Sequence, residues 1–99
     1  MKTENYIFEQ TKPNQYNGRY DFPEKLEAGK VYFCREYEMS VHLCPCGCGA
    51  EVYLAIRELN IKNRFWGLSG NTIHPSVRRL VGCKSHYYIK NGLTVWARE

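Results

Sequence analysis

No apolar run in this 99-residue chain approaches the roughly 18 residues that a membrane-crossing helix requires, so no membrane-crossing helix is expected within it. The first residues, Met1-Lys2-Thr3-Glu4-Asn5, are polar and lack the apolar stretch of a secretory signal, and the expectation is a cytoplasmic protein with no membrane partner. Internal repeats, low-complexity segments and a second domain are also missing. So is any RNA-recognition or helix-turn-helix pattern, and a net charge of +4 gives only mild attraction toward nucleic acid or an acidic protein surface. A full set of cysteine pairs is lacking too: five cysteines cannot all pair within one chain.

What is present is a concentration of sulfur. Cys44, Cys46 and Cys48 fall within five residues, where disulfides between near neighbours are strained. Without an export signal, such a cluster more often binds metal than forms bridges. On an extended strand, alternate residues lie roughly 6.6–6.8 Å apart. Two thiolates on a tetrahedral zinc need to approach to about 3.8 Å. The segment must therefore curl, and Gly47 and Gly49 are the residues that permit it. One turn supplies two or three ligands and a closed zinc site needs four. The complement is Cys83-Lys84-Ser85-His86, a Cys-x2-His pair separated from Cys48 by 34 intervening residues. Cys83 and His86 rank first as ligands, then Cys46 and Cys48, then Cys44, which makes five candidates for four places. His42 is a reserve ligand or a hydrogen-bond partner of a thiolate. Cys34, alone in an apolar run, reads as core, and His74 and Glu51 read as surface residues.

Around these residues the pattern is of strands. Residues 1–29 hold Pro13, Asn14, Gly18, Pro23 and Gly29 and read as a lead-in, with a short strand at Tyr6-Ile7-Phe8. Residues 30–99 form the metal-binding β domain. Within it Val31–Cys34, Val41–Leu43 and Glu51–Arg57 are strand material, rich in β-branched and aromatic residues. Residues 58–70 read as a loop followed by a short strand. Thr72–Val77 carries Pro75, which predicts an edge or a turn. Ser85–Lys90, Asn91-Gly92 and Leu93–Arg98 form a β-hairpin signature, since Asn-Gly suits both left-handed positions of a type I′ turn. The predicted fold is a small β-rich single domain, an antiparallel sheet with a C-terminal hairpin, cross-linked by a Cys/His metal site. A core this small gains much from such a cross-link.

Three segments carry a resemblance over Leu26 to Trp96: His42-Leu43-Cys44-Pro45-Cys46-Gly47-Cys48-Gly49, then His74-Pro75-Ser76-Val77, then Cys83-Lys84-Ser85-His86. The chain resembles a family of small prokaryotic metal-binding proteins with no firmly assigned activity. Some are encoded beside ubiquitin-like conjugation genes with E1-like, E2-like and peptidase partners. Arg78-Arg79 and Cys34 depart from that family's pattern, and none of them is a candidate ligand. The resemblance implies a metal site and an accessory role in a ubiquitin-like modification pathway, with E1-like or E2-like components as partners.

Four functions compete at this level. The favoured one is a zinc-binding adaptor or binding module acting through protein contacts. A [2Fe–2S] electron-transfer or redox-sensing protein is the first alternative. A nucleic-acid-binding zinc module, using Tyr87, Tyr88 or Trp96 as stacking platforms, is the second. Enzymatic activity is left open and weighed against, because the His-x-Glu and Pro-Cys-x2-Cys pattern of zinc deaminases is absent and thiolate-rich ligation lowers a metal's Lewis acidity. No catalytic residue is assigned.

Overall fold

The computed structural model describes residues 2–56, 66–79 and 82–97. The expected loop at 58–65 and residue 57 lie outside the described residues. Among the described residues there are eight strands: β1 Ile7–Thr11, β2 Lys30–Cys34, β3 Met39–Leu43, β4 Glu51–Ala55, β5 Gly67–Ser69, β6 Thr72–Arg78, β7 His86–Lys90 and β8 Leu93–Trp96. They form two four-stranded sheets in sequential order, β1-β2-β3-β4 and β5-β6-β7-β8. Every neighbouring pair is antiparallel except β1 and β2, which run parallel. The long connection from β1 to β2 makes that direction available. Among the described residues no helix is long and apolar enough to cross a membrane.

The two sheets are joined at both edges. Ile56, just past β4, bridges Trp66, just before β5, and the Trp66 N–H donates to the Ala55 carbonyl at 2.9 Å. At the other side the chain ahead of β1 runs along β8, with the Tyr6 N–H on the Gly92 carbonyl at 2.7 Å and the Thr94 N–H on the Glu4 carbonyl at 2.9 Å. These backbone bonds occupy some of the N–H and C=O groups that β8 and the end of β4 would otherwise offer as edges.

Two apolar clusters explain why β2 and β3 do not alternate cleanly between buried and exposed. Val31, Val52, Leu54, Ile73, Val77, Tyr87 and Ile89 pack between the sheets, together with Tyr6 and Cys44. On the opposite face of the first sheet, Phe22 and Leu26 cover Tyr32, Cys34 and Val41. The lead-in therefore acts as a lid that turns a one-sided sheet into a two-sided one, and a strand buried on both faces reads as continuously apolar. Cys34 is wholly buried there.

The C-terminal hairpin forms as the sequence predicts, with Asn91 at φ 51° and Gly92 at φ 78° in the turn between β7 and β8. The segment around Pro75 is strand rather than turn, and its pairing with β5 ends at His74, one residue before the proline. β6 is an inner strand between β5 and β7. Its register with β7 shifts between Ile73 and Val77, and this irregularity absorbs a residue without an N–H.

Candidate functional site

Cys44, Cys46 and Cys48 lie in the turn that joins β3 to β4. Leu43 pairs with Glu51, so the seven residues between them form the hairpin loop. The Cys44 N–H donates to the Ala50 carbonyl at 2.9 Å and the Gly47 N–H to the Cys44 carbonyl at 3.2 Å, closing the turn on itself. Gly47 at φ 90° and Gly49 at φ 84° take the left-handed conformations that the curl requires. Cys83 arrives from the second sheet, in the loop that leads into β7.

The sulfurs of Cys44, Cys46, Cys48 and Cys83 all lie within 4.8 Å of one another. Cys44 Sγ is 3.5 Å from Cys46 Sγ and 3.6 Å from Cys83 Sγ. Those separations are close to the roughly 3.8 Å between thiolates on a tetrahedral ion. The four residues thus fit a metal ion in number, in donor type and in spacing. Their protonation chemistry is uneven. Burial pushes the Cys44 thiol well above its ordinary range. Hydrogen bonds from the Ser85 hydroxyl and backbone pull Cys83 below its own. A cation would favour the thiolate at all four positions.

The two histidines considered as ligands lie elsewhere. His42 is wholly buried between the sheets, where its Nε2 meets the Tyr87 hydroxyl at 2.7 Å and its ring stands edge-on to Tyr6. Burial, with a smaller contribution from Arg79, lowers its pKa to about 3, so the ring is neutral. Tyr87→Phe removes the partner of this buried nitrogen. The expected loss is about 1–3 kcal/mol in urea unfolding, the cost of an unsatisfied buried polar atom.

His86 is not in the sulfur group. Its Nε2 is 2.7 Å from the Ser76 Oγ. Both residues are half-buried and belong to neighbouring strands, Ser76 to β6 and His86 to the start of β7. Val77 and Tyr87, their chain neighbours, pair with each other and are buried in the core. Strand alternation therefore sends Ser76 and His86 to the opposite, accessible face. The His86 ring also stacks on Tyr88, with centroids 6.2 Å apart and planes 30° from parallel. Around Ser76 the backbone is held by Trp66, whose Nε1–H donates to the Ser76 carbonyl at 3.3 Å. His74, on the same strand, is exposed and its ring lies over Gly67, where an added Cβ would stand 2.5 Å from the imidazole.

Sequence reasoning grouped His86 with the cysteines and gave Ser76 no role. The signal was present in His74-Pro75-Ser76 and Ser85-His86, two short segments ten residues apart at Ser76 and His86. What was not legible is that their strands are adjacent and place Ser76 diagonally across from His86.

A two-sheet β protein with a four-cysteine cluster and a hydrogen-bonded serine–histidine pair is the class that this fold and these sites define. The chain belongs to the BubE family: the family model described as the serine protease of a bacterial ubiquitination-like system matches residues 19–97. Comparison with curated proteins and with solved structures returned no match.

Proposed function

We propose that the chain is a serine hydrolase acting on an acyl link of a protein in a ubiquitin-like modification pathway, with Ser76 as nucleophile and His86 as general base. The observation that carries this reading is the 2.7 Å contact between Ser76 Oγ and His86 Nε2. It falls within the 2.6–3.2 Å window of an activated nucleophile. In the reaction, Oγ attacks the carbonyl carbon of the substrate while its proton passes to Nε2. Collapse of the tetrahedral intermediate expels the leaving group, which takes the proton from His86, and water then releases the acyl group from Ser76 by the same proton route. Membership of a family described as a serine protease supports the assignment. The adaptor reading accounts for the cysteines but leaves the Ser76–His86 contact without a role. E1-like or E2-like components remain the natural partners, now as carriers or products of the acyl link. The test is labelling with a fluorophosphonate probe, followed by mass spectrometry of the modified peptide. Modification at Ser76 is expected, and an unlabelled Ser76 in folded, metal-loaded protein would refute the reading.

The four sulfurs are, on this reading, the ligands of a structural zinc ion. An all-thiolate set suits soft ions, and zinc accepts the tetrahedral arrangement without redox chemistry. The same donor set is used by iron–sulfur clusters, so colour decides between them. One zinc per chain with no visible absorption supports the reading, and iron with a visible chromophore would replace it.

Trp66 affects the nucleophile through its backbone. Trp66→Phe keeps an aromatic ring, though a smaller one, and removes the donor to the Ser76 carbonyl. A single neutral hydrogen bond is worth about 0.5–1.5 kcal/mol, so labelling of Ser76 is expected to slow by about twofold to tenfold.

A further inference from the structure

The sulfur cluster and the serine–histidine pair share a four-residue turn. Three of the four cysteines come from the β3–β4 loop of the first sheet, and Cys83 comes from the loop that opens β7. His86 is the first residue of β7, three positions beyond Cys83. Between them, Lys84 takes a left-handed conformation at φ 53°, and Ser85 is 9 % exposed.

Ser85 is tied in two directions. Its Oγ donates to Cys83 Sγ at 3.2 Å, which fastens it to the cluster. Its carbonyl accepts the Arg79 N–H at 2.7 Å, which fastens it to the residue just past β6, the strand that carries Ser76. On its far side the His86 carbonyl accepts the Ala97 N–H at 2.9 Å. The peptide that carries the base is therefore anchored to the residue just past β6 and to the chain beyond β8 by backbone bonds, and to the Cys83 sulfur by one hydroxyl.

We propose that Ser85 is a positioning residue that couples the four-cysteine centre to the base of the dyad, so that the bound ion sets where the His86 ring stands relative to Ser76. The inference rests on the hydrolase reading above and assigns a regulatory input to that same site. The physical reason is the short reach of the contact. A hydrogen bond at 2.7 Å is lost if the ring moves by about 1 Å, and a misplacement of that size can cost on the order of 10²-fold in rate. A thiolate held by a metal ion is a fixed acceptor for the Ser85 hydroxyl. A thiol free to rotate is not.

The test compares zinc-loaded wild-type chain with zinc-loaded Ser85→Ala. Three quantities are read: zinc per chain, the imidazole nitrogen resonances of His86, and the rate at which a fluorophosphonate modifies Ser76. In Ser85→Ala we expect one zinc per chain and an unchanged sheet amide spectrum. His86 resonances should be displaced, and labelling should slow about tenfold, with most of the loss in the maximal rate and little in the apparent affinity for the probe. Ser85→Thr, which keeps the hydroxyl, should restore both. His86 resonances and a labelling rate equal to wild type in Ser85→Ala would overturn the coupling. If Ser76 is labelled in neither protein, the hydrolase reading falls, and the His86 resonances alone then decide the coupling: displaced in Ser85→Ala they sustain it, and unmoved they refute it. Should Ser85→Ala fail to fold, Ser85→Cys, which keeps the volume with a weaker donor, is read in the same way.

Discussion

On the proposed hydrolase mechanism, Ser76→Ala is expected to eliminate modification by fluorophosphonates and to reduce hydrolysis by about 10⁴-fold or more, while the protein stays folded. The size of the effect follows from the role proposed for the hydroxyl: without Oγ no covalent intermediate would form, and water would have to attack the acyl link unaided by a positioned nucleophile. His86→Gln leaves Oγ in place and removes the proton acceptor. The expected loss is about 10²–10⁴-fold, the usual contribution of general acid–base catalysis. Neither residue belongs to the apolar clusters, and both are half-buried. Stability should therefore fall by no more than about 1.5 kcal/mol, the worth of their mutual hydrogen bond. Circular dichroism and urea unfolding of both variants separate this outcome from misfolding. Full activity in a folded Ser76→Ala variant would remove the serine from the mechanism.

On the structural-zinc reading, withholding the metal, or replacing Cys83 by serine, is expected to cost the protein most of its stability. Structural zinc contributes roughly 10–16 kcal/mol in small zinc-finger peptides, and a domain of ordinary size is stable by about 5–15 kcal/mol in all. Cys83 is the member of the cluster that comes from the second sheet. Its loss frees the start of β7 from the first sheet and should release the ion together with the cooperative unfolding transition. Cys34 is the internal control. It is equally a cysteine and wholly buried, but it packs with Phe22, Tyr32 and Val41 on the far side of the first sheet. Cys34→Ala should keep one ion per chain and lose roughly 1–2 kcal/mol, within the ordinary range for single substitutions. Metal analysis and thermal unfolding of the two variants test the contrast. A metal-free Cys83→Ser that melts like wild type would mean that the cluster carries no structural load.

These two expectations concern sites of different legibility. The cysteine turn could be read from the sequence because it is local: three cysteines in five residues and two glycines at the bends are constraints between near neighbours. The C-terminal hairpin was legible for the same reason, since Asn91-Gly92 sets its own turn. Cys83 was a reasonable long-range partner because sulfur is scarce and its chemistry is specific.

His86 shows where that logic stops. A histidine three residues from a cysteine looks like a ligand when only spacing is known, yet its ring is directed to Ser76 on the neighbouring strand. His42 likewise sits two residues before Cys44, and its Nε2 is spent on Tyr87 in the core. In a strand, successive side chains leave on opposite faces, so proximity in sequence says little about which group a side chain meets until register is known. The parallel pairing of β1 with β2, the covering of the first sheet by Phe22 and Leu26, and the inner position of a proline-containing β6 have the same character.

The amino-acid sequence alone determined the β-rich class, the final hairpin, and the sulfur turn with its glycines, because each is encoded by residues within a few positions of one another. Tertiary structure alone decided which of the candidate groups meet: four sulfurs drawn together from two sheets, and Ser76 facing His86 across β6 and β7. Those meetings depend on strand order and on the register shift between Ile73 and Val77, which arise from burial across the whole domain and leave no local trace in the chain.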